Sequence, residues 1–265
     1  MQGVVLPERA AASGSWEGEL AIELERVSKH FTLYHNQSDR LKTRVLGRFY
    51  SRYRRTPERF AALEDISFSV RRGQAFGLIG ANGSGKSTLL QIIAGILVPD
   101  TGEVRVRGRV APLIELGAGF HPELTGNENI FLNASLYGMT NRQIRQRMDA
   151  IIEFSGLGSF IDLPIKIYSS GMYLRLAFSV AIHLDPDVLL ADEILAVGDA
   201  EFQEKCLDRV RQMRAQGMTL ILVSHSPMQV AQFTDRYIKL AHGKVVERGR
   251  SADLRPGLLD TPLGQ

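Results

Sequence analysis

The 265-residue sequence contains one cysteine, Cys206, so it can form no internal disulfide and no zinc site built from several cysteines. It also lacks a long apolar run. The best candidate, Leu174 to Leu184, is interrupted by Arg175 and His183, whereas a membrane-spanning helix needs about 20 apolar residues. The N-terminal residues carry no apolar core of the kind found in secretory signals. These absences exclude a disulfide scaffold and a chain that crosses a membrane alone, and they predict a cytoplasmic protein.

The overall composition is that of a globular protein, with 44% hydrophobic and 23% charged residues. The length fits one domain of ordinary size, or one domain with an inserted subdomain. The net charge of +3, from 32 basic and 29 acidic residues, is too small to argue for nucleic-acid binding by itself. The charge is unevenly distributed, however, because seven basic residues and no acidic one lie between Arg40 and Arg55.

Short apolar segments recur along the chain and predict strands. Alternating polarity predicts a strand over Leu20–Val27, and a second strand over Ile66–Val70 follows a long basic segment. Unbroken apolar runs are typical of strands buried on both faces of a parallel sheet. Three such runs are Ala75–Ile79, Val188–Ala191 and Thr219–Val223.

Segments with helical spacing lie between and beside these strands. They cover residues 127–136, 141–155, 171–184 and 200–216, and a hairpin is expected over residues 237–247 with its turn at His242 and Gly243. Strands that alternate with helices favour an α/β fold built on a parallel sheet.

The segment Gly80–Thr88 matches the pattern G-x-x-x-x-G-K-[ST] in full. It follows an apolar strand and opens a helix, so backbone N–H groups and the positive end of the helix dipole can face a nucleotide phosphate. We expect Lys86 to reach the β- and γ-phosphates of ATP and Ser87 to bind Mg²⁺. The other residues predicted to bind ATP in this loop are Gly80, Asn82, Gly83, Ser84, Gly85 and Thr88.

Carboxylates and a histidine follow two of the other predicted strands. Asp192 and Glu193 come at the end of one apolar run, and His225 follows the next. The carboxyl ends of parallel strands meet at one edge of a sheet, where ligands bind. We therefore expect Asp192 to hold Mg²⁺ through water, Glu193 to polarise an attacking water, and His225 to sense the γ-phosphate.

The order of these motifs resembles the nucleotide-binding subunit of ATP-binding cassette (ABC) transporters over roughly residues 20–250. The segment Tyr168–Met172 stands where that family usually has Leu-Ser-Gly-Gly-Gln, with Ser170 in place of a Gly and Met172 in place of the Gln. The resemblance implies that Ser169, Ser170 and Gly171 contact the γ-phosphate bound by a second copy of the chain. At a helix N-terminus, these residues would form a second anion site.

A narrower resemblance is to the ATPases that export polysaccharides such as O-antigen, capsule and teichoic acid. It rests on residues 114–129, 168–172 and 192–200. The resemblance implies a P-loop (RecA-like) parallel-sheet core with an antiparallel β part and an inserted α-helical subdomain. It also implies an ATP-hydrolysing homodimer that binds an integral membrane permease at the cytoplasmic face of the inner membrane and drives export of a lipid-linked polysaccharide.

The same resemblance assigns several further residues. The Gln usual in the loop that couples nucleotide to permease is absent, and Glu115 or Leu116 stands near its place; a carboxylate there could contact Mg²⁺ or its waters. Asp199 fits the loop that crosses the dimer interface. The aromatic that stacks on adenine normally follows the first strand, which makes Phe31 or Tyr34 the candidate, although either could be a packed aromatic at a strand end.

The basic segment forms a predicted helical insertion over residues 36–60. Its apolar residues recur every four positions, on one helical face, and Pro57 should end the helix by position 56. The four are Leu41, Val45, Phe49 and Tyr53. One interpretation is a solvated helix on its own domain. The other is a helix at the exporter's substrate entrance that meets anionic headgroups or the pyrophosphate of a lipid-linked glycan.

These inferences predict one ABC ATPase domain over residues 20–250, with a helical subdomain over 117–187. Residues 1–19 and 251–265 are predicted tails, and the second is too short for a carbohydrate-binding β-sandwich. A rival hypothesis is a soluble ABC ATPase that acts on nucleic acid or ribosomes, but such proteins usually carry two cassettes or a long coiled coil, and this sequence has neither. A regulatory GTPase is disfavoured because no Asn-Lys-x-Asp motif is present.

Overall fold

The computed structural model describes residues 19–33, 58–114, 116–192 and 198–254. The strands in these ranges are β1 (Leu20–Leu33), β2 (Glu58–Arg71), β3 (Ala75–Ile79), β4 (Thr101–Val106), β5 (Val110–Pro112), β6 (Val188–Asp192), β7 (Thr219–Val223), β8 (Arg236–Ala241) and β9 (Lys244–Arg250). The α-helices are α1 (Lys86–Ile93), α2 (Gly126–Leu136), α3 (Asn141–Ser155), α4 (Ser170–Ile182), α5 (Ala200–Ala215) and α6 (Pro227–Phe233).

Two sheets organise the fold. The six-stranded sheet has the order β5-β6-β7-β3-β8-β9, and its strands are parallel except β9, which runs antiparallel to β8. The second sheet is antiparallel, with the order β2-β1-β4. The helices α2, α3 and α4 lie between β5 and β6 in the chain. The predicted parallel core with an antiparallel part and an inserted helical subdomain is confirmed.

The central strands of the six-stranded sheet, β3, β6 and β7, are buried on both faces. Within β6, Leu189 and Ala191 join a core with α2 to α5, whereas Val188 and Leu190 join a core with α1 and the antiparallel sheet. Every residue of β3 and β7 is buried. This two-sided burial explains why the sequence of these strands reads as unbroken apolar runs.

The first two strands are longer than their apolar pattern suggests. The alternation of β1 breaks at Arg26, which has a positive φ of 48°, and the register with β2 shifts there. Pairing then resumes to the ends of both strands, so Phe31 lies inside β1 opposite Phe60. The expectation that Phe31 follows the first strand is therefore wrong. Residues 58–60, which the sequence assigns to the insertion, belong to β2.

The ordered fold continues past the hairpin into the predicted C-terminal tail. Residues 251–253 form a single 3₁₀ turn. Ser251 is fully buried, its N–H donates to the Asp235 carbonyl across 3.1 Å, and its hydroxyl lies 2.6 Å from the Thr234 hydroxyl. The packed domain thus extends beyond the predicted boundary at residue 250.

Within the described ranges, none of the helices has the combination of length and apolar character that a membrane crossing demands.

Candidate ATP site

Three strand ends bring the loop after β3, Asp192 and His225 to one edge of the parallel sheet. Leu78 in β3 is level with Val223 in β7, which is level with Asp192 in β6. The Ser224 N–H still donates to the Leu78 carbonyl, across 3.2 Å, so His225 follows directly at the same edge. The loop after β3 therefore shares this edge with partly buried Asp192 and exposed His225.

The phosphate loop, Gly80–Thr88, is shaped by glycines at close contacts. Gly85 has a φ of +105°, and a Cβ there would lie 2.5 Å from the Ala62 carbonyl oxygen of β2. A Cβ at Gly80 would lie 2.4 Å from the Leu240 carbonyl oxygen of β8. Because both strands approach this closely, larger side chains would push the loop out of its position at the head of α1.

The interior of the loop is suited to an anion. Lys86 is buried, and its Nζ donates to the carbonyls of Gly80, across 2.8 Å, and Ala81, across 2.9 Å. The Ser84 side chain is also buried, and its Oγ has no hydrogen-bond partner among the described residues. A buried hydroxyl normally has a partner. A phosphate oxygen would supply one, next to the Lys86 charge.

The residues around the loop also fit a magnesium ion. Ser87 is exposed at the second position of α1, and Asp192 lies at the sheet edge beside the loop. Hydroxyl and carboxylate oxygens are the ligands that Mg²⁺ prefers, and the ion usually binds one or two carboxylates together with substrate phosphates. These two groups are therefore a suitable donor set.

The predicted signature segment, Tyr168–Met172, opens helix α4. Ser169 is the N-cap, and its hydroxyl accepts the Met172 N–H across 3.2 Å. Ser169 and Ser170 are exposed, and among the described residues a Cβ at Gly171 would meet nothing closer than the Ser169 hydroxyl at 3.9 Å. This helix start faces open space on the surface of the chain, where a second molecule can reach it.

Asp199, predicted to lie at the dimer interface, is the N-cap of α5. Its carboxylate accepts the Phe202 N–H across 2.9 Å and forms an ion pair with Arg175 of α4. The backbone hydrogen bond from Phe202, aided by the Arg175 charge, holds the pKa of the Asp199 carboxyl below its usual value. Asp199 is therefore ionised at neutral pH.

The loop between β5 and α2 is held by two asparagines that sequence reasoning missed. Asn129 is fully buried; its amide nitrogen donates to three loop carbonyls and its oxygen accepts the His121 N–H across 2.7 Å. The three carbonyls are those of His121, Leu124 and Thr125. Asn133, one helical turn later, donates to the Ala118 carbonyl across 2.6 Å. Two asparagines spaced four apart on an apolar helix were the available signal.

The remaining predicted residues are placed less completely. Tyr34, Glu115 and Glu193 lie outside the described residues, as does the insertion up to residue 57. Phe31 is 36% exposed, and the Lys29 Nζ lies 5.9 Å from the centre of its ring. Leu116 packs against the helical core. The choice between Phe31 and Tyr34, and that between Glu115 and Leu116, stay predictions.

Residues 63–196 match the family model described as ABC transporter. The chain belongs to the ABC transporter family. In agreement with the phosphate loop, it is an ATP-binding, ATP-hydrolysing cassette. Its fold is that of the ATP-binding cassette MJ0796, solved as a dimer in a post-hydrolysis state with ADP and Pi, with a TM-score of 0.67 at 23% identity over 89% of this chain and 99% of MJ0796.

Two curated relatives in the family match at higher identity. The O-antigen export system ATP-binding protein RfbB of Klebsiella pneumoniae is 46% identical over 231 residues, which cover 87% of this chain and 94% of RfbB. The teichoic acids export ATP-binding protein TagH of Listeria monocytogenes serotype 4b (strain F2365) is 43% identical over 235 residues, 89% of this chain and 68% of TagH.

Proposed function

We propose that this cassette drives export of a lipid-linked, O-antigen-like polysaccharide across the cytoplasmic membrane. The observation that carries the proposal is the 46% identity with RfbB, an O-antigen export protein, over 94% of RfbB's length. TagH, named for teichoic acid export, supports the same class of cargo.

The roles proposed at the ATP site follow from the residues that lie at the carboxyl edge of the parallel sheet. Lys86 and the N–H groups at the head of α1 would bind the phosphates, and Ser87 and Asp192 would hold Mg²⁺. When bound, Mg²⁺ neutralises phosphate charge. Glu193 would polarise the attacking water and His225 would contact the γ-phosphate. The unpartnered Ser84 hydroxyl supports occupation of the loop by phosphate.

Two copies of the chain would meet head to tail. The open start of α4 at Ser169–Gly171 would then bind the ATP held in the partner's phosphate loop. Support comes from the exposure of Ser169 and Ser170 and from MJ0796, whose structure is dimeric. Closure of the pair around ATP, and reopening after hydrolysis, would supply the work of transport because the two states bind nucleotide differently.

The motion would be delivered to an integral membrane permease, with the cassette bound at the cytoplasmic face of the membrane. We propose that the permease docks on the helical subdomain near residues 115–129. The hydrogen bonds that Asn129 and Asn133 donate to this loop support that role, because a loop that transmits force must be held firmly by the helix beside it.

The proposal is tested by affinity purification of the tagged chain from detergent-solubilised membranes of its host. We expect a polytopic membrane protein to copurify, and we expect a strain carrying Lys86→Ala to accumulate lipid-linked polysaccharide inside the cell. Recovery of ribosomes or nucleic acid instead, with normal polysaccharide at the cell surface in the Lys86→Ala strain, would refute the proposal.

A further inference from the structure

Arg175 links the two helix starts that are predicted to face a partner molecule. It lies on the second turn of α4, and its guanidinium forms an ion pair with Asp199 at the start of α5. It also stacks over the Phe202 ring, with its Cζ 5.0 Å from the ring centre. A Cβ at Gly198 would lie only 3.5 Å from the Arg175 Nε. One side chain thus lies against residues 198, 199 and 202 at the N-terminal end of α5.

This contact is partly shielded from water. The Arg175 side chain is 26% exposed, against 60% for that of Asp199. A guanidinium that contacts both a carboxylate and an aromatic face is held in one orientation, and the entropic cost is small because its planar fork is pre-organised. Asp199 is fixed as well, by the hydrogen bond that it accepts from Phe202. These contacts therefore tie the start of α5 to α4.

We infer that Arg175 is a positioning residue that fixes Asp199 against the signature helix, so that both segments reach the partner's ATP in one arrangement. This inference rests on the proposed head-to-tail dimer. None of the contacts that the structure gives Arg175 involves its own phosphate loop, residues 80–88. Loss of Arg175 should consequently damage the site formed with the partner's loop and spare its own.

Mixing of variants tests this assignment. We expect Arg175→Met to lower ATPase activity about tenfold, the size typical of coupled residues in one network, with unchanged nucleotide affinity of the isolated chain. A mixed dimer of Arg175→Met and Lys86→Ala has one site with both defects and one site with neither. Mixing should therefore raise activity well above that of either variant alone. If Arg175 served its own phosphate loop, each mixed site would carry one defect, and mixing would not raise activity above that of Arg175→Met alone.

Gly171→Asp mixed with Lys86→Ala distinguishes failure of the dimer from failure of the inference. The added carboxylate opposes the γ-phosphate across the interface, so this mixture must also recover activity if the head-to-tail dimer is correct. No recovery there, with heterodimers formed, refutes the dimer. Recovery there but not with Arg175→Met overturns the role of Arg175.

Two further variants separate positioning from folding. Asp199→Asn keeps an acceptor for the helix cap but removes the charge, so it should reproduce the Arg175→Met defect, and the double variant should be no worse than either single one. Arg211→Met is the matched control, because Arg211 of α5 pairs with Asp208 and its Cζ lies 6.0 Å from the centre of the Phe233 ring of α6. It should retain normal activity. Additive losses in the double variant, or an equal loss in Arg211→Met, would overturn the inference.

Discussion

The Tyr173 hydroxyl donates a hydrogen bond to the Gly117 carbonyl across 3.1 Å, which joins α4 to the loop between β5 and α2. The Tyr173 ring also meets Phe120 of this loop edge to face, with 5.3 Å between ring centres. The helix that begins with the signature segment therefore holds the loop that we propose contacts the permease. A movement of one element relative to the other would break these contacts.

This close contact predicts that Gly117→Ala destabilises the domain through Tyr173. A Cβ at Gly117 would lie 2.3 Å from the Tyr173 hydroxyl oxygen, so the tyrosine must shift and lose its hydrogen bond, worth about 1 kcal/mol. Gly138→Ala is the matched control, because its φ of +79° is within a degree of the +80° at Gly117 and its Cβ would meet no described residue within 4 Å. Urea unfolding should show a larger loss for Gly117→Ala. Equal losses would mean that backbone strain alone sets the cost.

Much of the parallel sheet could be predicted from the sequence. The bounds of β3, β7 and α3 agree with the predictions at both ends, because buried strands give unbroken apolar runs and Thr140 forms a capping box with Gln143 at the start of α3. The site residues at the sheet edge followed from the same runs. Once the strands were known to be parallel, their carboxyl ends had to meet.

Other elements have too few buried apolar residues in their own sequence to be predicted from it. The three-residue β5 ends in Pro112, and the exposed edge strand β4 has only Val104 buried. The helix α6 has seven residues and a single buried one, Val230. The contact of Arg175 with Asp199 could not be foreseen either, because the two residues are 24 positions apart and meet only when α4 packs against α5.

The proposed division of roles at the ATP site predicts that Glu193→Gln stops hydrolysis without stopping binding. The amide keeps the shape of the side chain but cannot polarise water, and a general base typically contributes about 10²–10⁴-fold in rate. We expect ATPase activity to fall by that order, while ATP-dependent dimers accumulate in size-exclusion chromatography. Near-normal turnover would remove Glu193 from its proposed role.

Lys86→Ala should instead abolish nucleotide binding. The Lys86 ammonium is buried inside the phosphate loop. Water screens a buried charge poorly, so its attraction for a phosphate in the loop would be strong. Lys244→Ala is the charge-matched control, since Lys244 is exposed and pairs with Glu64. Titration with a fluorescent ATP analogue should detect binding only by the wild type and Lys244→Ala. Similar affinity in all three proteins would contradict the assignment of the loop.

The buried position of His183 predicts that the free energy of unfolding depends on pH. Burial lowers the pKa of its imidazole from the usual 6.5, with Arg209 and Arg147 opposing the protonated form and Asp185 favouring it. The ring also lies edge-on to Phe154, and its Nδ1 is 2.7 Å from the Ser179 carbonyl oxygen.

The unfolded chain binds a proton at His183 more readily than the folded chain does. The contribution of the neutral His183 ring to folding stability is therefore fully present above about pH 6.5. It is lost as the pH falls below that value, by at most about 1.4 kcal/mol per pH unit. His183→Gln removes this titration. Urea unfolding between pH 5 and 8 should give a shallower slope for the variant below about pH 6.5 and parallel curves above it. Parallel curves throughout would show that His183 titrates equally in both states.

The last prediction concerns the basic insertion, residues 36–60, which lies outside the described residues up to position 57. If it meets an anionic headgroup or the pyrophosphate of a lipid-linked glycan, each basic residue contributes on the order of 1 kcal/mol. Replacement of Arg48, Arg52 and Arg55 by Glu should then impair export. Basal ATPase activity should stay near normal, because these residues are far in sequence from the phosphate loop. The triple Lys variant, which keeps the charge, should export well. Normal export in the Glu variant would instead favour a solvated helix resting on its own domain.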